Sequence, residues 1–202
     1  MNDSRSRTPC GARTHDVPPG TDAGDPRPGD FILTHGAEFF SRVIHIGQGL
    51  RYRDADRPYT FWNHSALITS DAGDLVEALG PGVSRNTLAA YHDTQYTVVH
   101  VEASDEDRRQ MVAFAEHYVG GRYDWVTIAS ITVSLLTGLK LSFGFPGQLI
   151  CSGLVARALE RTSLIFDEEP SHVMPADLAK KFAVPYPPPG EPKGRPMRED
   201  RR

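Results

Sequence analysis

The feature that most constrains the fold is a pair of β-rich runs separated by a short polar turn. Residues 63–69 (NHSALIT) and 74–79 (DLVEAL) are rich in aliphatic side chains, and the turn between them contains Gly73. Two such runs so close together predict a β-hairpin. Further β-rich runs lie at 31–33 and 95–101, and most helical patterns come later in the chain. This order predicts an α+β domain in which an antiparallel sheet packs against helices.

Most of the helical patterns fall in the second half of the chain. Ser104 with Asp107 three residues later forms a capping-box pattern, which opens a predicted helix ending at Gly120-Gly121. A second helix is predicted at 151–160 and a short third helix near 175–182.

The two ends of the chain have a composition that cannot form a core. Residues 1–27 and 185–202 are rich in Pro, Gly and charged side chains, so we predict two disordered tails. The folded domain is then expected over residues 28–184. The basic start of the chain is not followed by the apolar run of a secretory signal, which favours a cytoplasmic location.

An apolar stretch at residues 125–141 (WVTIASITVSLLTGLKL) needs its own interpretation. A membrane span needs about 20 apolar residues, and this stretch is shorter and contains Lys140. We interpret it as a buried core helix, with a lipid-contacting surface as the alternative.

Composition and motifs exclude several classes of function. A net charge of −4 argues against a nucleic-acid binder, which needs a basic face. Two cysteines are too few for a disulfide framework. The histidines show no spacing for a zinc site with Cys151, and no glycine-rich phosphate loop is present. We therefore expect no metal and no cofactor, and the sequence does not indicate an oligomeric state.

Cys151 is the candidate nucleophile. Positions +3, +4, +7 and +8 from it are apolar, so it lies on the inward face of the predicted helix (Leu154, Val155, Ala158 and Leu159). Pro146-Gly147 just upstream indicates that this helix begins close to Cys151. Unpaired N–H groups in a first helical turn favour a thiolate and can hold an oxyanion. The alternative is a small buried hydrophobic residue.

His64 and Glu77 are the candidate base and its orienting carboxylate. Strand alternation puts His64 on one face with Ala66 and Ile68, and Glu77 interrupts an apolar strand, where a carboxylate needs a partner. A two-residue loop would place them directly opposite each other, and a four-residue loop would place them diagonally on the same face. A loop with an odd residue count would separate their faces. Alternatively, His64 is a structural side chain and Glu77 protects an edge strand.

Other polar residues compete for roles near this pair. Asp71, Asp74 and Asn63 are alternative orienting groups for the imidazole. Arg51 and Arg53 in the polar loop before the histidine strand could bind a substrate carboxylate, or could be solvated loop residues.

Several segments resemble a known superfamily. YVGGRYDW at 118–125 and ICSGLV at 150–155 resemble the Gly-x-Tyr-x-Trp and Cys-Ser-Gly-Leu-Val segments of NlpC-type papain-fold cell-wall peptidases. GDFIL at 29–33, NHSALIT at 63–69 and LVEALGPGV at 75–83 resemble the histidine-bearing part, but here they come first. This order resembles the circularly permuted branch, the YaeF/YiiX-like papain-like amidases, to which lecithin:retinol acyltransferase-type proteins are related.

The resemblance implies a permuted papain-like fold and a role for four residues. Cys151 matches the nucleophile, His64 the general base, and Glu77 the third polar residue of the catalytic group. Tyr123 matches a tyrosine close to the nucleophile, where it would contact substrate or the oxyanion, although the segment between it and Cys151 is longer than in the NlpC-type pattern.

The expected function is therefore a cysteine hydrolase that cleaves an amide bond of a peptide or small molecule through an acyl-enzyme. Two alternatives remain open. One is a lipid-directed thiol acyltransferase or esterase of the lecithin:retinol acyltransferase type, with lipid or cell-wall contact. The other is a binding module that has lost turnover.

Overall fold

The computed structural model describes the chain at residues 12–35, 48, 51–52, 54–79, 82–121, 151–162, 164, 166 and 169–186. Its strands are β1 (Arg13–Val17), β2 (Phe31–Thr34), β3 (His64–Ile68), β4 (Asp74–Leu79), β5 (Gly82–Thr87) and β6 (Tyr96–His100). Its α-helices are α1 (Asp105–His117), α2 (Cys151–Leu159) and α3 (Pro175–Lys181). Short 3-10 helices span Asp54–Phe61, Leu88–Tyr91, Glu160–Thr162 and Pro170–His172.

The strands form one open antiparallel sheet in the order β1-β6-β2-β3-β4-β5. The α+β architecture and the β3–β4 hairpin are confirmed. The sequence pattern missed β5, because GVSRNT has little aliphatic content. Its pairing with β4 from Asp74↔Thr87 to Leu79↔Gly82 stabilises it as an edge strand.

Each face of the sheet has its own apolar cluster. The first cluster joins Leu67 and Val76 of the sheet to Leu154 and Val155 of α2. The second cluster lies on the opposite face and consists mainly of sheet residues (Val17, Ile32, Ala66, Ile68, Leu75, Tyr96 and Val98). Helix α2 therefore packs on the face opposite to the one that carries Ala66 and Ile68.

The predicted boundaries of the folded domain are wrong at both ends. Arg13–Val17 form β1 on β6, so part of the predicted tail at 1–27 belongs to the sheet. Little apolar content marks this strand, because backbone hydrogen bonds to an existing edge are enough to add it. At the other end, the Tyr186 ring stacks on Phe61 with centroids 3.6 Å apart, which contradicts a tail starting at 185. Residues 1–11 and 187–202 lie outside the described residues.

The predicted capping box at the start of α1 is confirmed. The Ser104 Oγ accepts a hydrogen bond from the Asp107 N–H, and the Asp107 carboxylate accepts one from the Ser104 N–H. Within the described segments, no helix is long and apolar enough to cross a membrane. The predicted helix at 125–141 lies outside them.

A buried ion pair connects β2 to α1. Arg108 Nη1 donates to Asp30 Oδ1 at 2.9 Å, and His100 Nδ1 lies 2.7 Å from Asp30 Oδ2. The Val101 N–H also donates to Asp30 Oδ1, at 3.0 Å. This cluster fixes the start of β2 against the end of β6.

Candidate active site

The β3–β4 hairpin brings His64 and Glu77 together. Its register is Ile68↔Leu75, and the Thr69 N–H donates to the Asp74 carbonyl, so four residues form the loop. A four-residue loop places His64 and Glu77 diagonally on one face of the hairpin. The directly opposite arrangement, which needs a two-residue loop, is not present. His64 Nε2 lies 2.7 Å from Glu77 Oε2.

Cys151 lies where β3 and β4 stop pairing. The register between these strands ends at Leu67↔Val76. Successive N–H groups of a strand point alternately to its two neighbours. The Ile68 N–H of β3 donates to the Asp30 carbonyl at the start of β2, so the Ser65 N–H, three residues earlier, points toward β4. That N–H donates to the Cys151 sulfur. The thiol at the start of α2 therefore occupies the opening between the two strands.

His64 contacts the thiol as well as the carboxylate. Since Glu77 occupies Nε2, Nδ1 is the ring nitrogen that remains for the hydrogen bond with Cys151. All three side chains are withdrawn from water, with Cys151 1%, His64 6% and Glu77 0% exposed. The structure thus assembles a thiol, an imidazole and a carboxylate in series.

Mutual attraction overcomes the cost of burying these charges. Burial lowers the pKa of His64, but the Cys151 thiolate and the Glu77 carboxylate outweigh it and raise the pKa from 6.5 to about 10. Burial raises the pKa of Cys151, yet the His64 imidazolium and the N–H groups of Ser65 and Ser152 lower it overall. Both shifts favour the thiolate–imidazolium form of the pair.

Glu77 is held by three donors. Besides His64, Asn86 Nδ2 of β5 donates to Oε1 at 2.6 Å, and the Tyr91 hydroxyl donates to Oε2. Burial raises the pKa of the Glu77 carboxyl, but hydrogen bonds from His64, Tyr91 and Asn86 together with the His64 charge lower it overall. Glu77 is therefore ionised at neutral pH and accepts the His64 N–H.

The other predicted polar residues have different places. Asp74 accepts a hydrogen bond from the Ser70 hydroxyl at 2.6 Å in the exposed turn that also contains Asp71, and the Asn63 amide lies 3.4 Å from His35 Nδ1. Arg51 pairs with Asp177 at 3.7 Å. Of the alternative orienting groups, Glu77 is thus the one hydrogen-bonded to His64.

Two predicted positions, Tyr123 and Arg53, lie outside the described residues. Among the residues that are described, no group of three or more His, Cys, Asp or Glu side chains could hold a metal ion.

Sequence reasoning missed Asn86, Tyr91 and the Ser65 N–H. The Gly80-Pro81 dipeptide is a turn signal that could have predicted a second hairpin. Leu75 then pairs with Asn86, and because Leu75 and Glu77 share a face of β4, Asn86 lies on that face too. Tyr91 belongs to a 3-10 helix without a sequence signature, and a backbone N–H has none at all.

No protein-family model and no curated protein matches this chain.

Proposed function

We propose that this protein is a cysteine-dependent amide hydrolase in which Cys151 is the nucleophile, His64 the acid–base group and Glu77 the group that orients the imidazole. The observation that carries the proposal is the buried series of thiol, imidazole and carboxylate at the opening between β3 and β4. A nucleophile, a base and an orienting group in hydrogen-bond contact are the requirements for covalent acyl transfer.

Acylation starts from the ion pair. The Cys151 thiolate attacks the substrate carbonyl carbon, a C–S bond forms, and the carbonyl π electrons move to oxygen. N–H groups in the first turn of α2 are suited to hold that oxyanion. As the C–N bond breaks, the His64 imidazolium donates its proton to the leaving amine, and an S-acyl enzyme remains.

Deacylation uses the same groups in reverse. Neutral His64 takes a proton from water, and the resulting hydroxide adds to the thioester carbonyl. The C–S bond then breaks, the acid product leaves, and the thiolate–imidazolium pair is restored. Glu77 accepts the Nε2–H throughout, which keeps Nδ1 directed at the reacting atoms.

The motif resemblance supports the same proposal. The order of the Gly-Asp, Asn-His-Ser, Val-Glu-Ala and Cys-Ser segments is that of the permuted papain-like amidases, and an antiparallel sheet with a cysteine at a helix start is compatible with it. We therefore propose a permuted papain-like fold and a peptide or small amide as the substrate class.

The first test is the ionisation of the Cys151 thiol. In a Cys10→Ser background Cys151 is the one remaining thiol. Titrated by thiolate absorbance at 240 nm, it should ionise well below the free-cysteine pKa of about 8.5, because the imidazolium stabilises its charge. His64→Ala in the same background should raise that pKa, and His92→Ala, an exposed histidine, is the matched control.

The second test is covalent turnover. The Cys10→Ser protein is incubated with p-nitrophenyl acetate or an amino-acid p-nitroanilide, and intact mass reports an acyl adduct on Cys151. Cys151→Ala should lose both the adduct and turnover, and His64→Ala should lower the acylation rate by about 10³-fold. An ordinary thiol pKa together with no adduct would contradict the proposal and leave a binding module. Turnover restricted to long-chain esters would favour the lipid-directed alternative.

A further inference from the structure

The carboxylate of Glu77 has two donors that the proposed chemistry does not use. Asn86 Nδ2 contacts Oε1 at 2.6 Å from the edge strand β5, and the Tyr91 hydroxyl contacts Oε2 from the 3-10 helix Leu88–Tyr91. Oε2 also accepts the His64 Nε2–H. Both carboxylate oxygens are thus occupied by groups from three different elements of the sheet region.

The geometry restricts how this carboxylate can rotate. The Tyr91 and His64 rings lie 19° from parallel with centroids 6.3 Å apart, so their donors reach Oε2 from neighbouring directions. Asn86 holds Oε1 from β5, whose register with β4 fixes its distance from Glu77. A rotation of the carboxylate would break at least two of these hydrogen bonds.

The donors differ in whether their charge changes during the proposed cycle. His64 is positive in the resting pair and neutral after it protonates the leaving amine. The buried carboxylate then loses the favourable charge of its neighbour, although burial still penalises its negative form. Tyr91 and Asn86 are neutral donors that remain in place at both stages.

We infer that Tyr91 and Asn86 are positioning residues that keep the Glu77 carboxylate ionised and fixed in orientation while His64 gives up and regains its proton. This inference rests on the proposed function, since it assigns these residues to the same site. Among the described residues, the titratable groups placed against Glu77 are His64 from β3 and Tyr91, with Cys151 from α2 beyond the imidazole.

The first measurement concerns Glu77 itself and needs no substrate. The carboxyl is titrated by ¹³C NMR in glutamate-labelled protein, with Glu77→Gln to assign its resonance. Tyr91→Phe keeps the ring and removes one donor, so we expect the pKa of Glu77 to rise by about 1 pH unit. Asn86→Asp replaces the second donor with another carboxylate and should raise it further. Tyr118→Phe, at the end of α1, is the matched control that should leave it unchanged.

The second measurement separates the two half-reactions. With p-nitrophenyl acetate, the burst of nitrophenolate reports acylation and the steady state reports deacylation. Tyr91→Phe should slow the steady state more than the burst, because deacylation begins with neutral His64. The acid limb of the steady-state pH–rate profile should also move to higher pH. A purely structural role would change both phases equally and leave the pH profile in place.

The outcomes are distinguishable. An unchanged pKa of Glu77 in both Tyr91→Phe and Asn86→Asp would overturn the inference even if Cys151 forms an acyl adduct. A wild-type protein with an ordinary Cys151 thiol and no adduct would instead refute the proposed function, and with it the assignment to a catalytic cycle. A raised Glu77 pKa with a selective loss of deacylation supports both.

Discussion

Two buried carboxylates of the sheet, Glu77 and Asp30, have neighbours of different chemistry. Both are 0% exposed, and both accept hydrogen bonds on each oxygen. Asp30 contacts His100 but is also paired with Arg108, whose guanidinium keeps its charge in proteins. Glu77 accepts the Nε2–H of His64, and the other ring nitrogen of His64 shares a separate proton with the Cys151 thiol.

The difference separates a structural ion pair from a site. Arg108 also donates to the backbone carbonyls of Pro28 and Val101, so the Asp30 cluster, which includes His100 but no thiol, ties together chain segments. The His64 cluster ends on the Cys151 sulfur, which we propose as the nucleophile. Burial and ion pairing alone do not indicate function. The presence of a group that can exchange a proton with a nucleophile does.

The largest expected effects come from neutralising each carboxylate in turn. Glu77→Gln should lower acyl transfer by about 10³-fold or more, because an amide no longer fixes the imidazole tautomer. Asp30→Asn should leave turnover per folded molecule unchanged. It should lower the free energy of unfolding by about 3–5 kcal/mol, because it leaves the buried Arg108 charge without its carboxylate partner. Urea unfolding and kinetics at pH 7 measure both.

The reverse pattern would contradict the comparison. Glu77→Gln is expected to cost less stability than Asp30→Asn, because His64 can give up its proton and Arg108 cannot. If Asp30→Asn abolished turnover in fully folded protein, the Asp30 cluster would belong to the site. If Glu77→Gln remained fully active, Glu77 would be only a structural partner of His64.

The next effect is on the titration of His64. The Cys151 charge is the largest of the causes that raise its pKa, so Cys151→Ala should lower the pKa of His64 from about 10, toward or below 6.5, as burial then dominates. Imidazole ¹⁵N NMR measures this directly. His100, beside Asp30, is the control whose resonances should not move in this variant.

The same pair determines how stability depends on pH. The raised pKa of His64 contributes stability that is complete below 6.5 and lost as pH rises through about 10. The lowered pKa of Cys151 contributes stability that is complete above 9.0 and lost as pH falls through its folded value. At pH values above both 6.5 and the folded pKa of Cys151, and up to 9.0, the two slopes cancel, because folded and unfolded pairs both hold one proton.

Urea unfolding across pH tests that cancellation. Relative to Cys151→Ala, the wild-type protein should show no added slope just below pH 9.0 and a decline of about 1.4 kcal/mol per pH unit between 9.0 and 10. A decline that continues from neutral pH up to 9.0 would mean that the folded pair holds two protons, as a thiol beside an imidazolium. In that case the nucleophile would have to be deprotonated during attack.

The sequence predicts those parts of the fold and of the candidate site that depend on local residue patterns. Glu77 interrupts an apolar strand, His64 begins one and Cys151 begins a predicted helix, so these three candidate residues could be named from the sequence. Loop length left the exact pairing of His64 and Glu77 open, because two and four residues keep the same face. The Arg13–Val17 strand could not be predicted, since its stability comes from backbone bonds to β6. No sequence pattern predicts the contact of Tyr91 with Glu77, because it forms only in the folded chain.

The smallest expected effect uses two glycines with nearly equal backbone angles. Gly73 in the β3–β4 loop has φ +84° and Gly29 beside Asp30 has φ +86°, so alanine at either should cost about 1–2 kcal/mol of stability. A Cβ at Gly73 would lie 2.9 Å from Leu88 Cδ1, at the start of the 3-10 helix that carries Tyr91. A Cβ at Gly29 would lie 3.2 Å from Arg108 Cγ.

Gly73→Ala should therefore also slow deacylation of acetylated Cys151, whereas Gly29→Ala should lower the urea midpoint alone. Equal kinetic effects from both would show that general loss of stability, and not the position of the Glu77 donors, limits turnover.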